Sequence, residues 1–201
     1  MTQALLILDL DETLIFGTRT PLERAPDLIV HAYAIYQRPH LSEFVARVRA
    51  DYRLAVWTAS TESYADPVVN CVLPPDLRLE FLWCRDRCKW RQNLETRQEY
   101  WLKDLKKLQQ QGYDLDRVLF VDDKPQSLER NYSNHIAVTP YTGDLNDREL
   151  LHLAEYLTRV AHLPNLRSIE KRGWRSREPD PSQGVMPSRG CDKSLPPWFV
   201  S

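Results

Sequence analysis

The sequence predicts an α/β fold built on a central, mostly parallel sheet, and two observations carry that expectation. Three short, unbroken apolar runs each end in residues capable of chemistry. They are Ala4-Leu5-Leu6-Ile7-Leu8 before Asp9, Leu54-Ala55-Val56-Trp57 before Thr58, and Val118-Leu119-Phe120-Val121 before Asp122. Apolar runs without alternation mark strands buried on both faces. The segments between them carry helical spacing, and strands alternating with helices fold into a parallel sheet covered on both sides.

The elements follow in order. Residues 4–8 form the first strand. The stretch 16–38 is short, with room for one hairpin around 29–36. Residues 41–50 place Phe44, Val45 and Val48 on one side of a helix, with Ser42 as its N-cap. A second helix is expected over 63–73, a weaker strand over 79–83, and a long helix over 94–110 that carries Lys103. Gln109-Gln110-Gln111-Gly112 closes that helix with an extra turn. After the strand that precedes Asp122 come a weak strand at 136–138 and a helix over 147–161. The last helix aligns Leu150, Leu151, Ala154, Leu157 and Val160.

From Arg172 onward the pattern changes. Pro179, Pro181, Pro187, Pro196 and Pro197 stand among Gly and Ser without apolar periodicity. Residues 1–168 therefore read as one domain and 169–201 as a Pro-rich, flexible tail, with Trp174 and the Trp198-Phe199 end able to dock.

Composition narrows the function. A chain of 201 residues, 42% hydrophobic and 27% charged, has the balance of a globular domain and is large enough to fold on its own core. A net charge of -1 offers no electrostatic basis for nucleic acid or an anionic membrane as the main partner. No signal peptide or membrane span is visible. The four cysteines, Cys71, Cys84, Cys88 and Cys191, are too few and too irregular for a disulfide framework. They read as reduced thiols of a cytoplasmic protein.

The chemistry sits at the strand ends, where α/β sheets bind ligands. Asp9-Leu10-Asp11-Glu12-Thr13 and Asp122-Asp123-Lys124-Pro125 each place paired carboxylates after a buried strand. Such charges repel unless a cation joins them, and a hard ion such as Mg2+ suits oxygen ligands. An Asp after a strand also commonly caps the next turn; two such pairs in one sheet favour the metal reading. Thr58 and the backbone N–H of Ala59 are ordinary donors to a phosphate oxygen. Lys103 has the charge to balance one, although a lysine on a charged helix is usually solvated.

In this order Asp9-x-Asp11-x-Thr13, Thr58, Lys103 and Asp122-Asp123 resemble the four signature motifs of the haloacid-dehalogenase (HAD) superfamily. The finer resemblance is to its FCP/SCP branch, phosphatases similar to those acting on the RNA polymerase II C-terminal domain. Arg38-Pro39-His40, Trp57-Thr58-Ala59-Ser60, Tyr64-Ala65-Asp66-Pro67-Val68 and Arg85-Asp86-Arg87-Cys88 add to it. The resemblance implies a three-layer, Rossmann-like fold, and the gaps between motifs leave no room for a large cap domain. It also implies a Mg2+-dependent phosphomonoesterase. Asp9 would be the nucleophile that becomes an aspartyl-phosphate, and Asp11 the general acid and base. Thr58, Ala59 and Lys103 would hold the phosphoryl group. Asp9, the Asp11 carbonyl and Asp122 would hold the metal, with Asp123 assisting directly or through water. An uncapped crevice suits a phosphoprotein or another bulky phosphate ester. The other readings are a small-molecule or nucleic-acid phosphate ester as substrate, or an inactive HAD-fold binding module.

Overall fold

The computed structural model describes residues 3–176, and everything said of the fold concerns those residues. Strands β1 (Ala4–Leu8), β5 (Tyr52–Trp57), β6 (Leu79–Trp83), β9 (Val118–Asp122) and β10 (His135–Ala137) form one parallel sheet in the order β10-β9-β1-β5-β6. β1 lies at its centre, with Leu8 level with Val56 on one side and Val121 on the other.

Pleating sends alternate side chains to opposite faces, so each central strand feeds two cores. Leu6, Leu8, Leu54, Val56, Leu119 and Val121 join one apolar cluster. Leu5, Ile7, Ala55, Trp57, Val118 and Phe120 join the other. The first cluster is closed by α1 (Leu41–Val48), α2 (Glu62–Val72) and α4 (Glu149–Val160). In α1 the buried residues Leu41, Phe44, Val45 and Val48 recur at the spacing of one helical face. The second is closed by a thinner layer that includes Leu105, Leu108 and Leu128. The result is the expected three-layer arrangement.

Four local expectations change. The helix anticipated over 94–110 is a β-hairpin, β7 (Lys89–Gln92) with β8 (Glu99–Leu102), followed by a short helix α3 (Lys106–Gln110). Aromatic residues favour a pleated surface, and Trp90 pairs with Trp101 across the two strands. The Asn93 side chain accepts from the Glu95 and Thr96 N–H groups, a local turn that competes with helix. Lys103 therefore follows a strand instead of riding on a helix.

The single hairpin expected in 16–38 is a three-stranded antiparallel sheet. Its strands are β2 (Ile15–Thr18), β3 (Leu28–Val30) and β4 (Tyr33–Gln37), in the order β2-β4-β3. β2 was hidden because it emerges directly from the first motif, with Ile15 paired to Gln37. The cap of α1 is His40, in a left-handed conformation at φ 64° and without a side-chain bond, and not Ser42.

The packed chain also runs past residue 168. Trp174 is only 2% exposed, and its indole Nε1 donates to the Ala137 carbonyl at 2.7 Å. That bond covers the outer side of β10, the sheet edge, which would otherwise present an unpaired acceptor. The Lys171 ammonium donates to the carbonyls of Ser133, Leu166 and Ile169 at 2.6, 2.6 and 2.9 Å. Residues 169–176 thus pack on the domain, and the remainder of the expected tail, including Trp198-Phe199, lies outside the described residues. Trp174→Ala is expected to destabilise the protein by about 3–5 kcal/mol, the cost of truncating a buried tryptophan. A urea titration would measure it; an unchanged midpoint would mean that this segment adds nothing to the core.

Cys71, Cys84 and Cys88 are free thiols. Among the described residues, no helix is long and apolar enough to cross a membrane.

Candidate active site

Parallel strands deliver their carboxyl ends to one edge. The Asp9 N–H donates to the Val121 carbonyl at 2.9 Å, which seats Asp9 beside Asp122. The chain then folds back sharply: the Leu14 and Ile15 N–H groups both reach the Leu10 carbonyl. Glu12 takes a positive φ of 61°, a conformation that costs a residue with a side chain about 1–2 kcal/mol. Its carboxylate meets Lys124 Nζ at 3.1 Å, tying the first motif to the last.

A buried arginine braces this turn from behind. Arg38 makes a two-point contact with Asp147 at 2.9 and 2.8 Å, and donates to the carbonyls of Thr13 and Thr139 at 3.0 and 2.8 Å. The guanidinium fork can satisfy all four acceptors at once, which a lysine cannot. The Arg38-Pro39-His40 phrase hinted at this residue, but no local pattern announces its partners.

Lys103 lies at the centre, 1% exposed. Its ammonium donates to Asp9 Oδ1 in a very short contact and to Asp122 Oδ2 at 2.8 Å. Its own backbone N–H is held by the Ser127 carbonyl at 2.8 Å. Burial alone would pull the Lys103 ammonium down, but the charges of Asp122 and Asp9 outweigh it and hold it above its ordinary value. The neighbouring lysines point elsewhere: Lys107 Nζ reaches the Arg87 carbonyl and Lys106 is exposed.

Asp9, Asp122 and Asp123 are all buried and bring carboxylate oxygens within 4.8 Å of one another. Thr13 Oγ1 stands between them, 3.4 Å from both Asp9 Oδ2 and Asp123 Oδ1. Burial pushes Asp9 up to about 8, against the pull of Lys103 and with added repulsion from Asp122 and Asp11. Burial likewise pushes Asp123 up to about 7, opposed by Lys124 and reinforced by Asp122 and Glu12. One ammonium does not balance three buried carboxylates. An all-oxygen set with excess negative charge fits a hard divalent cation, which would bring these groups back to the ionised form. On the outer side, His135 Nε2 lies 2.8 Å from the Asp122 carbonyl oxygen. A carbonyl only accepts, so that nitrogen carries the proton.

The fourth expected carboxylate stands apart. The Asp11 side chain lies outside the cluster of the other three, accepting from Tyr64 OH at 2.8 Å and Ser60 Oγ at 2.6 Å. Thr58 Oγ1 lies farther off, at 3.5 Å. Burial and the Asp11 charge raise the Tyr64 phenol well above its ordinary value, so it remains a neutral donor. Only the Asp11 main chain is left for the metal role expected of it. Ser60 and Tyr64 fall within the phrases read in the sequence, yet neither was marked as a site residue.

Thr58 follows β5 with its N–H bound to the Trp83 carbonyl at 2.8 Å, and its hydroxyl accepts from the Ser60 N–H at 3.0 Å. Among the described residues the Ala59 N–H meets no acceptor. Arg85 borders this turn. Its Nε donates to the Ala59 carbonyl at 2.7 Å, and its guanidinium lies over the Trp101 ring at 5.3 Å. A cavity of about 1000 Å³ opens beside β10, between Tyr132, His135, Arg167, Lys171 and Trp174. It shares Pro125 with the last motif but none of the crevice aspartates, so volume does not locate the chemistry here.

A similar fold occurs in solved structures. That of the fission yeast RNA polymerase II CTD phosphatase Fcp1, bound to beryllium fluoride, superimposes with a TM-score of 0.53 at 21% identity. The match covers 81% of this chain and 52% of that one, and it speaks for the fold alone. CTD small phosphatase-like protein 2 of Dictyostelium discoideum is 32% identical over 170 residues, 81% of this chain and 28% of that protein. The human carboxy-terminal domain RNA polymerase II polypeptide A small phosphatase 1 is 29% identical over 171 residues, covering 81% of this chain and 61% of its own length. The chain spans less than two-thirds of these relatives. The model of one family, described as NLI interacting factor-like phosphatase, matches residues 4–167. That span holds every strand of the sheet and every residue of the crevice, and on that match this chain belongs to the NLI interacting factor-like phosphatase family.

Proposed function

We propose that this protein hydrolyses phosphomonoesters with Mg2+ as cofactor and with phosphorylated protein as its substrate class. The observation that carries the reading is the buried Lys103 bridging Asp9 and Asp122 beside a third carboxylate. Negative and positive groups concentrated in a water-poor site are what phosphoryl transfer needs.

Asp9 attacks phosphorus. Its Oδ–P bond forms as the P–O ester bond breaks, and that bond's electron pair goes to the ester oxygen. The oxygen takes a proton from Asp11 and departs as the alcohol. A water molecule then attacks the phosphorus and gives its proton to Asp11. The Asp9–P bond breaks, its electrons return to the carboxylate, and phosphate leaves. Thr58 Oγ, the Ala59 N–H and the Lys103 ammonium hold the phosphoryl oxygens, and the exposed Arg85 adds charge at the rim. Asp9, Asp122 and the Asp11 carbonyl would hold the ion, with Asp123 assisting directly or through a water. When bound, the ion neutralises charge on the phosphoryl oxygens and keeps the carboxylates ionised.

Among the described residues the crevice is flanked by small structures: the β2-β4-β3 sheet beside Asp11 and the β7-β8 hairpin beside Lys103. Small metabolites are normally enclosed on most sides, and these two walls favour a phosphorylated side chain presented by a polypeptide. The named relatives support that substrate class. A screen of phosphopeptides against small phosphate esters tests both parts of the proposal. With Mg2+, phosphopeptides are expected to be the better substrates. EDTA should reduce turnover to background and added Mg2+ should restore it. Full turnover after exhaustive chelation would count against the metal site, and a preference for small metabolites against the protein substrate.

A further inference from the structure

We propose that the Tyr64 hydroxyl is the positioning group that aims the Asp11 carboxyl at the leaving oxygen, and that Gly17 is there to make room for it. The inference rests on the reading of Asp11 as the proton donor. Its support is geometric.

Among the described residues Asp11 takes part in no ion pair, nor does Asp123, whereas Lys103 is shared by Asp9 and Asp122. The direction of Asp11 is set by hydroxyls, with Oδ1 held by Tyr64 and Oδ2 by Ser60. A hydroxyl can donate or accept, so this clasp serves a carboxyl in either protonation state. An ammonium or guanidinium would favour the ionised one.

The two hydroxyls are unequal. Ser60 sits on a partly exposed turn, and rotation about one bond redirects its oxygen. Tyr64 is buried on α2, and its ring meets Tyr33 of β4 edge-on, with centroids 5.8 Å apart and planes at 79°. A packed aromatic ring fixes its hydroxyl to within the play of the core. Tyr64 is therefore the rigid half of the clasp.

Gly17 supplies independent support. It lies in β2 with no left-handed φ, so backbone freedom is not what the position requires. A Cβ built there would overlap the Tyr64 hydroxyl and come within 3.6 Å of Asp11 Oδ1. The absent side chain leaves the space through which phenol and carboxylate meet.

The test compares two esters of similar shape, phenyl phosphate and 4-nitrophenyl phosphate. Phenolate is the stronger base and needs the proton from Asp11 as it leaves; nitrophenolate needs it far less. The measurement is kcat/KM, which reports the steps through leaving-group departure. Tyr64→Phe keeps the ring and removes the hydroxyl. It is expected to lower the phenyl-to-nitrophenyl ratio of kcat/KM by about 10-fold or more, within the range that misplacing a catalytic group produces. Asp11→Asn should lower the same ratio further. Gly17→Ala should reproduce the Tyr64→Phe effect and add nothing to it in the double variant, as expected of residues acting through one contact.

Equal losses on both esters would assign Tyr64 a merely structural role and overturn the inference, as would no loss on either. If Asp11→Asn changes the ratio and Tyr64→Phe does not, the positioning role fails while the phosphatase reading stands. If Asp9→Asn keeps its turnover, the phosphatase reading itself has failed.

Discussion

Asp9→Asn is expected to lower kcat by at least about 10⁴-fold, the scale on which removing a nucleophile acts in hydrolases that form covalent intermediates. The amide nearly matches the carboxylate in shape but is uncharged and too weak a nucleophile to displace the ester oxygen at phosphorus. The fold should survive. Asp9 is held in place by its main chain through the Val121 carbonyl, and the substitution removes one of three crowded carboxylates. The loss of the Lys103 contact is offset in part by reduced repulsion from Asp122. Circular dichroism and a urea titration should match the parent protein while turnover with saturating Mg2+ falls to background. A well-folded Asp9→Asn protein with comparable kcat would remove the basis of the proposed mechanism.

Lys103→Ala carries the second large effect, and it has two parts. Activity should fall by at least about 10²-fold in kcat/KM, on the scale of deleting one donor that stabilises developing negative charge. Stability should fall as well. Without the ammonium, Asp9 and Asp122 are left buried against each other, and breaking a buried ion pair from one side costs about 3–5 kcal/mol. A divalent cation bound by the same carboxylates should recover part of that loss, because it supplies the missing positive charge. Urea titrations with and without Mg2+ therefore separate the two roles of Lys103, and the variant should gain more from Mg2+ than the parent. Lys106→Ala and Lys107→Ala are the controls, each expected to change kcat/KM by less than about threefold because they lie outside the buried cluster. Damage from Lys106→Ala with a mild Lys103→Ala would place the phosphate-binding lysine one turn later.

The outline of the sheet was legible in the sequence because its signal is local. A strand buried on both faces must be apolar at every position, and β1, β5 and β9 show this without help from distant residues. The residues that follow such strands share one edge in any parallel sheet, so Asp9, Thr58 and Asp122 were placed together before any contact was known. The 94–110 segment failed for the converse reason. Its leucines fit a helical period, yet Leu102, Leu105 and Leu108 are buried from a strand end, a turn and a short helix in succession. Periodicity reports which residues face the core without always naming the element that carries them.

What the sequence by itself determined was the three buried central strands β1, β5 and β9 in chain order and the residue types at their ends. Only tertiary structure decided the clasp on Asp11, the Arg38 brace, the seat of Lys103 between two carboxylates, and the packing of Trp174 on the sheet edge. Each of these joins residues far apart along the chain, such as Arg38 and Asp147, 109 positions apart. No local period records such a meeting, because Tyr64, Gly17 and Arg38 are ordinary residues of their own elements. They acquire a role only when β2, α2 and β1 are brought to the same corner of the fold.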